Sequence, residues 1–277
     1  MLRGASARRP LVMGIVNATP DSFSDGAAAW DVEAGVRRAE RLLADGADWL
    51  DIGGESTRPG ASPVSQAEEL QRVAPLIAAI RAKSDIPISI DTMKPAVARA
   101  AVGAGAALWN DVSALRGEPD SLATAAELGC GVVLMHMQGD PATMQISPRY
   151  NDVVGEVTAF LAERATAALA AGILAERIWV DPGIGFGKTA AHNLALLAGL
   201  DRIVALGFPV LLGASRKGFI RAVDPVATET CDRLGGSLAV ALEGARAGVA
   251  MVRAHDVRET VQALAMQAAI AGAGEGD

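Results

Sequence analysis

Short aliphatic and β-branched runs alternate along this chain with longer stretches of helical period, and the alternation repeats eight times. The apolar runs fall at 11–17, 48–52, 87–91, 107–112, 131–136, 177–181, 209–214 and 249–253. Apolar periodicity between them predicts helices near 31–45, 65–83, 94–104, 120–129, 151–171, 190–205, 233–247 and 256–270. Near-continuous apolar strands suit a parallel sheet covered by helices. Eight such units argue for closure into a (β/α)8 TIM barrel, an α/β fold with a single domain. An open doubly wound sheet would carry a Gly-rich first turn followed by a ribose-binding acid, and nothing here resembles that. Ser65 with Glu68 three residues on predicts a capping box. Gly46, Gly105, Gly129, Gly172, Gly207 and Gly248 each follow a helical period, where a left-handed residue is wanted. Residues 11–271 are expected to form the barrel, with a flexible segment at 1–10 and a frayed tail at 272–277.

Composition narrows the function classes. The chain has 277 residues, 51% hydrophobic but only 4% aromatic, so aliphatic side chains must fill the interior. A net charge of −7 argues against a nucleic-acid or anionic-membrane surface, and any anion must be met by local cations and backbone N–H groups. No run reaches the length of a membrane span. Cys130 and Cys231 are far apart, show no ligand spacing and are expected to be buried thiols in a reducing, cytoplasmic setting.

In a barrel, chemistry sits at the C-terminal ends of the strands. Every predicted strand of this chain ends in a polar residue there: Asn17, Asp51, Asp91, Asn110 with Asp111, His136, Asp181, Ser215-Arg216-Lys217, and Arg253 with His255. Any one of these has a bland alternative as a helix cap. Eight together converge on one mouth. Asp91, Asn110 and Asp181 offer groups that can pair with the donor–acceptor edge of a flat heterocycle, or alternatively hold a hard cation. Asn17, Arg253 and His255 come from strands that become neighbours on closure and suit a phosphate or pyrophosphate, with the carboxamide oxygen able to ligate a metal. The competing reading for Arg253 and His255 is a salt bridge to Asp256 or Glu259.

Two long loops overhang this mouth. NATPDSFSDG (17–26) places Asp21 and Asp25 around Phe23, and GGESTRPGASP (53–63) places Thr57, Arg58 and Pro59 between glycines. DPGIGFGK (181–188) is glycine-rich but lacks P-loop spacing, and reads as a tight strand-to-helix turn.

These segments, with SIDT (89–92), NDVS (110–113), LMHMQG (134–139), GASRKGFI (213–220) and RAHD (253–256), resemble the dihydropteroate synthases over nearly the whole chain. The resemblance implies a homodimeric transferase of folate biosynthesis, a class targeted by sulfonamides. Its reaction joins 6-hydroxymethyl-7,8-dihydropterin pyrophosphate to 4-aminobenzoate. It further implies that Asp91, Asn110, Asp181 and Lys217 hold the pterin, with Met135 and Phe186 packing near it. Asn17, Arg253 and His255 would bind pyrophosphate, and Asn17 would help to hold Mg2+. Ser215, at a helix start, would receive the aminobenzoate carboxylate, with Phe23, Thr57, Arg58 and Pro59 closing over it. Asp25 would stabilise the cation left when pyrophosphate departs. His136 is expected to be a structural group satisfied by backbone, with Asp51 and Asp111 in support. Two alternatives share the barrel: a pterin-dependent methyltransferase and a non-catalytic pterin binder.

Overall fold

Side chains alternate between the two faces of a strand, so closing a sheet into a barrel sorts each strand into an inner and an outer set. The computed structural model describes residues 9–19, 31–57 and 60–273. The strands are β1 (Leu11–Asn17), β2 (Trp49–Gly53), β3 (Ile88–Asp91), β4 (Leu108–Asp111), β5 (Gly131–Met135), β6 (Ile178–Asp181), β7 (Leu211–Leu212) and β8 (Met251–Ala254). They form one parallel sheet in the order β6-β5-β4-β3-β2-β1-β8-β7. A parallel bridge between Val180 and Val210 joins its two edges and closes the barrel.

Met13, Leu108, Val133, Leu211 and Met251, with Trp49 and Trp179 against them, form a separate apolar cluster. These are the inner positions of their strands, and they plug the interior. The alternate positions, among them Val12, Leu50, Ile90, Trp109, Leu134 and Val180, pack with the helices in the main core. Two residues beyond the plug, the same inward phase brings up Asp51, Asn110, Asp181 and Arg253. The polar residues therefore sit as a layer above a dry plug.

The helices are α1 (Val32–Ala44), α2 (Gln66–Arg81), α3 (Pro95–Gly103), α4 (Ser121–Leu128), α5 (Val153–Ala170), α6 (Ala190–Ala198), α7 (Leu200–Val204), α8 (Phe219–Val223), α9 (Leu234–Ala247) and α10 (Val257–Ala273). The helix predicted at 190–205 is interrupted at Gly199, where a Cβ would lie 2.9 Å from Val154 of α5. Strand β7 is shorter than the 209–214 expected: Val210 makes only an isolated bridge to Val180, and residues 213–214 lie beyond the ladder. The capping box is half formed: Ser65 Oγ accepts from the Glu68 N–H, but the Glu68 carboxylate turns to Arg72 instead. All six glycines expected past helices adopt positive φ. Cys130 is buried as expected, whereas Cys231 is exposed, because it lies in a 3-10 turn ahead of α9 rather than on a core-facing strand or helix. Among the described residues no helix is long and apolar enough to cross a membrane.

Trp109 is wholly buried on the outer face of β4, and its indole N–H donates to the Thr92 carbonyl at 2.8 Å. Trp109→Ala should lower the unfolding free energy by about 3–5 kcal/mol, measured as a fall in the urea midpoint. A loss under about 1 kcal/mol would show that the turn after β3 does not lean on this ring.

Candidate active site

Arg253 is the hub of the polar layer. From β8 its side chain crosses β1 to reach two further strands: Nε donates to Asp51 Oδ2 of β2 at 2.5 Å, and Nη2 to Asp91 Oδ2 of β3 at 2.9 Å. Asn110, buried on β4, donates from Nδ2 to the same Asp51 oxygen at 3.3 Å. Asp91 and Asn110 are partners in the β3–β4 register, so they share one face of the mouth. Burial pushes the Asp91 carboxyl up to about 7, against the opposing pull of Arg253 and with Asp51 adding to the rise. Burial works against the Arg253 charge, yet Asp51 and Asp91 raise its pKa overall.

Asp181 completes the layer from β6. Its Oδ1 accepts from the Gly183 N–H at 2.6 Å, and burial raises its pKa against the pull of Lys217. Lys217 stands 4.5 Å over the Phe186 ring and donates to the Ile184 carbonyl. Burial pushes its ammonium down to about 8, with Asp181 opposing and Arg253 assisting. Met135 packs with Val112, Met137 and Met144, against Met93 and Phe186. An apolar wall thus faces hydrogen-bonding groups, which is what a flat heterocycle with a polar edge requires.

The DPGIGFGK turn is held from below. Gly183 has φ +65°, and a Cβ there would come within 1.9 Å of the His136 carbonyl. Lys188 Nζ lies 2.9 Å from His136 Nδ1 and donates at 2.9 Å to each of the Gly183 and Phe186 carbonyls. Burial drives Lys188 down to about 7, and burial with the Lys188 charge drives His136 down to about 3. His136 is held within this turn from two sides: Lys188 lies against one ring nitrogen, and backbone also hydrogen-bonds the ring. Asp111 is also structural: its carboxylate accepts from the Ser113 and Leu115 N–H groups and fixes the turn after β4.

On the β7–β8 side, Ser215 Oγ accepts from the His255 N–H at 3.2 Å and lies 3.1 Å from its Nδ1. The expectation that Ser215 opens a helix is corrected. It lies in a turn, α8 begins only at Phe219, and the long α9 begins at Leu234. Arg216 adopts a left-handed conformation (φ 60°), and its guanidinium pairs with both oxygens of Asp256. Asp256 therefore serves Arg216, while the Arg253 guanidinium is turned to Asp51 and Asp91.

A family model described as pterin binding enzyme matches residues 13–255. The dihydropteroate synthase of Escherichia coli (strain K12) is 47% identical over 255 residues, which cover 92% of this chain and 89% of that protein. This chain belongs to the dihydropteroate synthase family. A Xanthomonas albilineans dihydropteroate synthase solved with 4-aminobenzoic acid matches with a TM-score of 0.90 and 51% identity, covering 96% of this chain and 94% of the other. A second structure from that organism, in complex with 7,8-dihydropteroate, matches with a TM-score of 0.87 and 48% identity, covering 96% and 95%. These relatives are synthases and lend no support to the methyltransferase or the non-catalytic binder.

Of the residues expected in a dihydropteroate synthase site, the structure gathers Asp91, Asn110, Asp181, Lys217, Met135, Phe186 and Arg253 around one mouth. Asn17, half-buried, ends β1 in register with Gly53, and Thr57 lies on the loop after β2. Phe23, Asp25, Arg58 and Pro59, with Asp21, lie outside the described residues. Sequence reasoning left out Met93, Val112 and Met144 of the apolar wall, and gave Asp51 no partner. Asp51 carried a usable signal, since it shares the inward phase of Trp49; the methionines in turns carried none.

The raised Asp91 pKa has a direction in stability. A carboxyl whose folded pKa of about 7 exceeds its unfolded value contributes stability at low pH that is lost as pH rises through 7. Urea unfolding of Asp91→Asn and its parent should therefore shift in the variant's favour between pH 5 and pH 8. A difference that stays flat with pH would mean that Asp91 is ionised throughout.

Proposed function

We propose that this chain condenses 6-hydroxymethyl-7,8-dihydropterin pyrophosphate with 4-aminobenzoate, giving 7,8-dihydropteroate and pyrophosphate. The observation that carries the reading is the mouth itself: three inward carboxylates, a carboxamide and two cations above an apolar plug, faced by Met135 and Phe186. Asp91, Asn110 and Asp181 accept from and donate to the pterin edge, and Lys217 with Phe186 and Met135 frames the ring. Arg253, His255 and Asn17 meet the pyrophosphate. Ser215 offers its hydroxyl to the aminobenzoate carboxylate, and Phe23, Thr57, Arg58 and Pro59 enclose that substrate.

The carbon–oxygen bond to pyrophosphate breaks as the leaving group's charge is neutralised, and the aniline nitrogen forms the new bond to carbon and releases a proton. Asp25 stabilises the positive charge that develops on the pterin. The Asn17 carboxamide, which ends β1, carries an oxygen of the hard kind that Mg2+ takes. A cation here would rest on the Asn17 oxygen, substrate phosphates and water, which is how Mg2+ is commonly held. Bound so, it would weaken the bond to the leaving group by drawing charge onto the phosphates. The protein works as a cytoplasmic homodimer in this reading, with small molecules as its substrates.

Purified protein should release pyrophosphate only when 4-aminobenzoate is present, and dihydropteroate should accumulate in step. Arg253→Met should lower kcat/KM by about 10²–10³. Asp25→Asn should lower kcat; if it kept full kcat while Asn17→Ala lost it, the cation-stabilising role would be wrong.

A further inference from the structure

Glu55, Lys94 and Glu69 form an ion cluster outside the pterin layer, on three different elements. Glu55 lies on the loop after β2, two residues before Thr57. Lys94 is three residues past Asp91, at the N-cap of α3, and Glu69 is wholly buried on α2. Lys94 Nζ donates to Glu55 Oε2 at 2.7 Å and to Glu69 Oε2 at 2.6 Å. The second Glu55 oxygen accepts from the Val64 N–H at 2.8 Å, so a single carboxylate ties the beginning of the loop to its end. Arg72 adds a bond from Nη1 to the Gly54 carbonyl at 2.7 Å. Gly54 lies flat on α2, where a Cβ would come within 2.8 Å of Val73 and 2.9 Å of Glu69.

Two carboxylates on one ammonium are an expensive way to join three elements. Glu69 Oε1 is buried without a partner among the described residues, and an apolar trio of similar volume would hold a core as well or better. What the charged cluster adds is direction. It connects the strand end that carries Asp91 to the loop that carries Thr57, through bonds that tolerate little displacement.

We propose that Lys94 is a positioning residue for 4-aminobenzoate: by gripping Glu55 it sets where Thr57 stands relative to Asp91. The inference rests on the reading of Thr57 as part of the aminobenzoate site. The test uses steady-state kinetics and calorimetric binding of the dihydropterin pyrophosphate on the full chain. Lys94→Met should raise KM for 4-aminobenzoate by about 10–100-fold, while the Kd of the pterin substrate stays within about twofold. Lys94→Arg, which can still bridge both acids, should return KM to within about threefold of the parent. Glu55→Gln keeps a side-chain oxygen for the Val64 N–H but loses the ion pair, and serves if Lys94→Met fails to fold. It should raise the same KM. An unchanged KM in a folded variant, alongside a raised KM in Thr57→Ala, would overturn the role of Lys94 and leave the site reading standing. An unchanged KM in Thr57→Ala as well would overturn both. Equal losses in pterin Kd and aminobenzoate KM would also overturn it, because they mark a general loosening of the barrel mouth.

Discussion

A buried charge must be met by a partner, and at the mouth of this barrel one arginine meets several. Arg253 reaches from β8 over β1 to Asp51 and Asp91, and Asn110 joins through the same Asp51 oxygen. Without that cation, buried carboxylates would face one another above an apolar plug that offers them nothing. Even with it, desolvation holds Asp91 well above the ordinary carboxylate range. The layer is poised rather than comfortable, which suits groups that must exchange protein partners for a ligand.

The rest of the site depends on keeping that layer in register. Two interlocks do so without touching the reacting atoms. Lys188 ties His136 to the carbonyls of the DPGIGFGK turn, so that Phe186 and Lys217 meet. Arg216 and Asp256 join the turn after β7 to the start of α10, while Ser215 and His255 bond between them. In both, a cation is placed against backbone or carboxylate partners from a different strand. A site assembled from several strand ends needs such ties, since each βα loop is otherwise positioned only by its own strand.

In the proposed reading the scaffold treats the two substrates differently. The pterin side is built on strand ends and one stiff glycine-rich turn. The aminobenzoate side is carried by loops, of which the one after β2 is anchored at its base by Glu55, Arg72 and Gly54. In that reading, recognition of the ring edge falls on strand ends and enclosure of the second substrate falls on loops.

Much of this was legible beforehand because periodicity and turn chemistry are local. Runs of apolar residues fixed by backbone geometry marked all eight strands, and six glycines marked helix ends that adopt the positive φ expected of them. The polar residue ending each strand pointed to one mouth, and so to a heterocycle and a pyrophosphate. Other features rest on contacts between residues far apart in the chain. Nothing in a single strand says that Arg253 reaches Asp51 and Asp91, because that depends on how the sheet closes. The inward phase of Asn110, against the turn-binding phase of Asp111, was settled only by pairing with β3. The exposure of Cys231, the turn that holds Ser215 away from any helix start, and the grip of Lys94 on Glu55 were likewise decided by packing between distant segments. Local sequence sets which way a side chain can point, and only the closed barrel sets what it meets there.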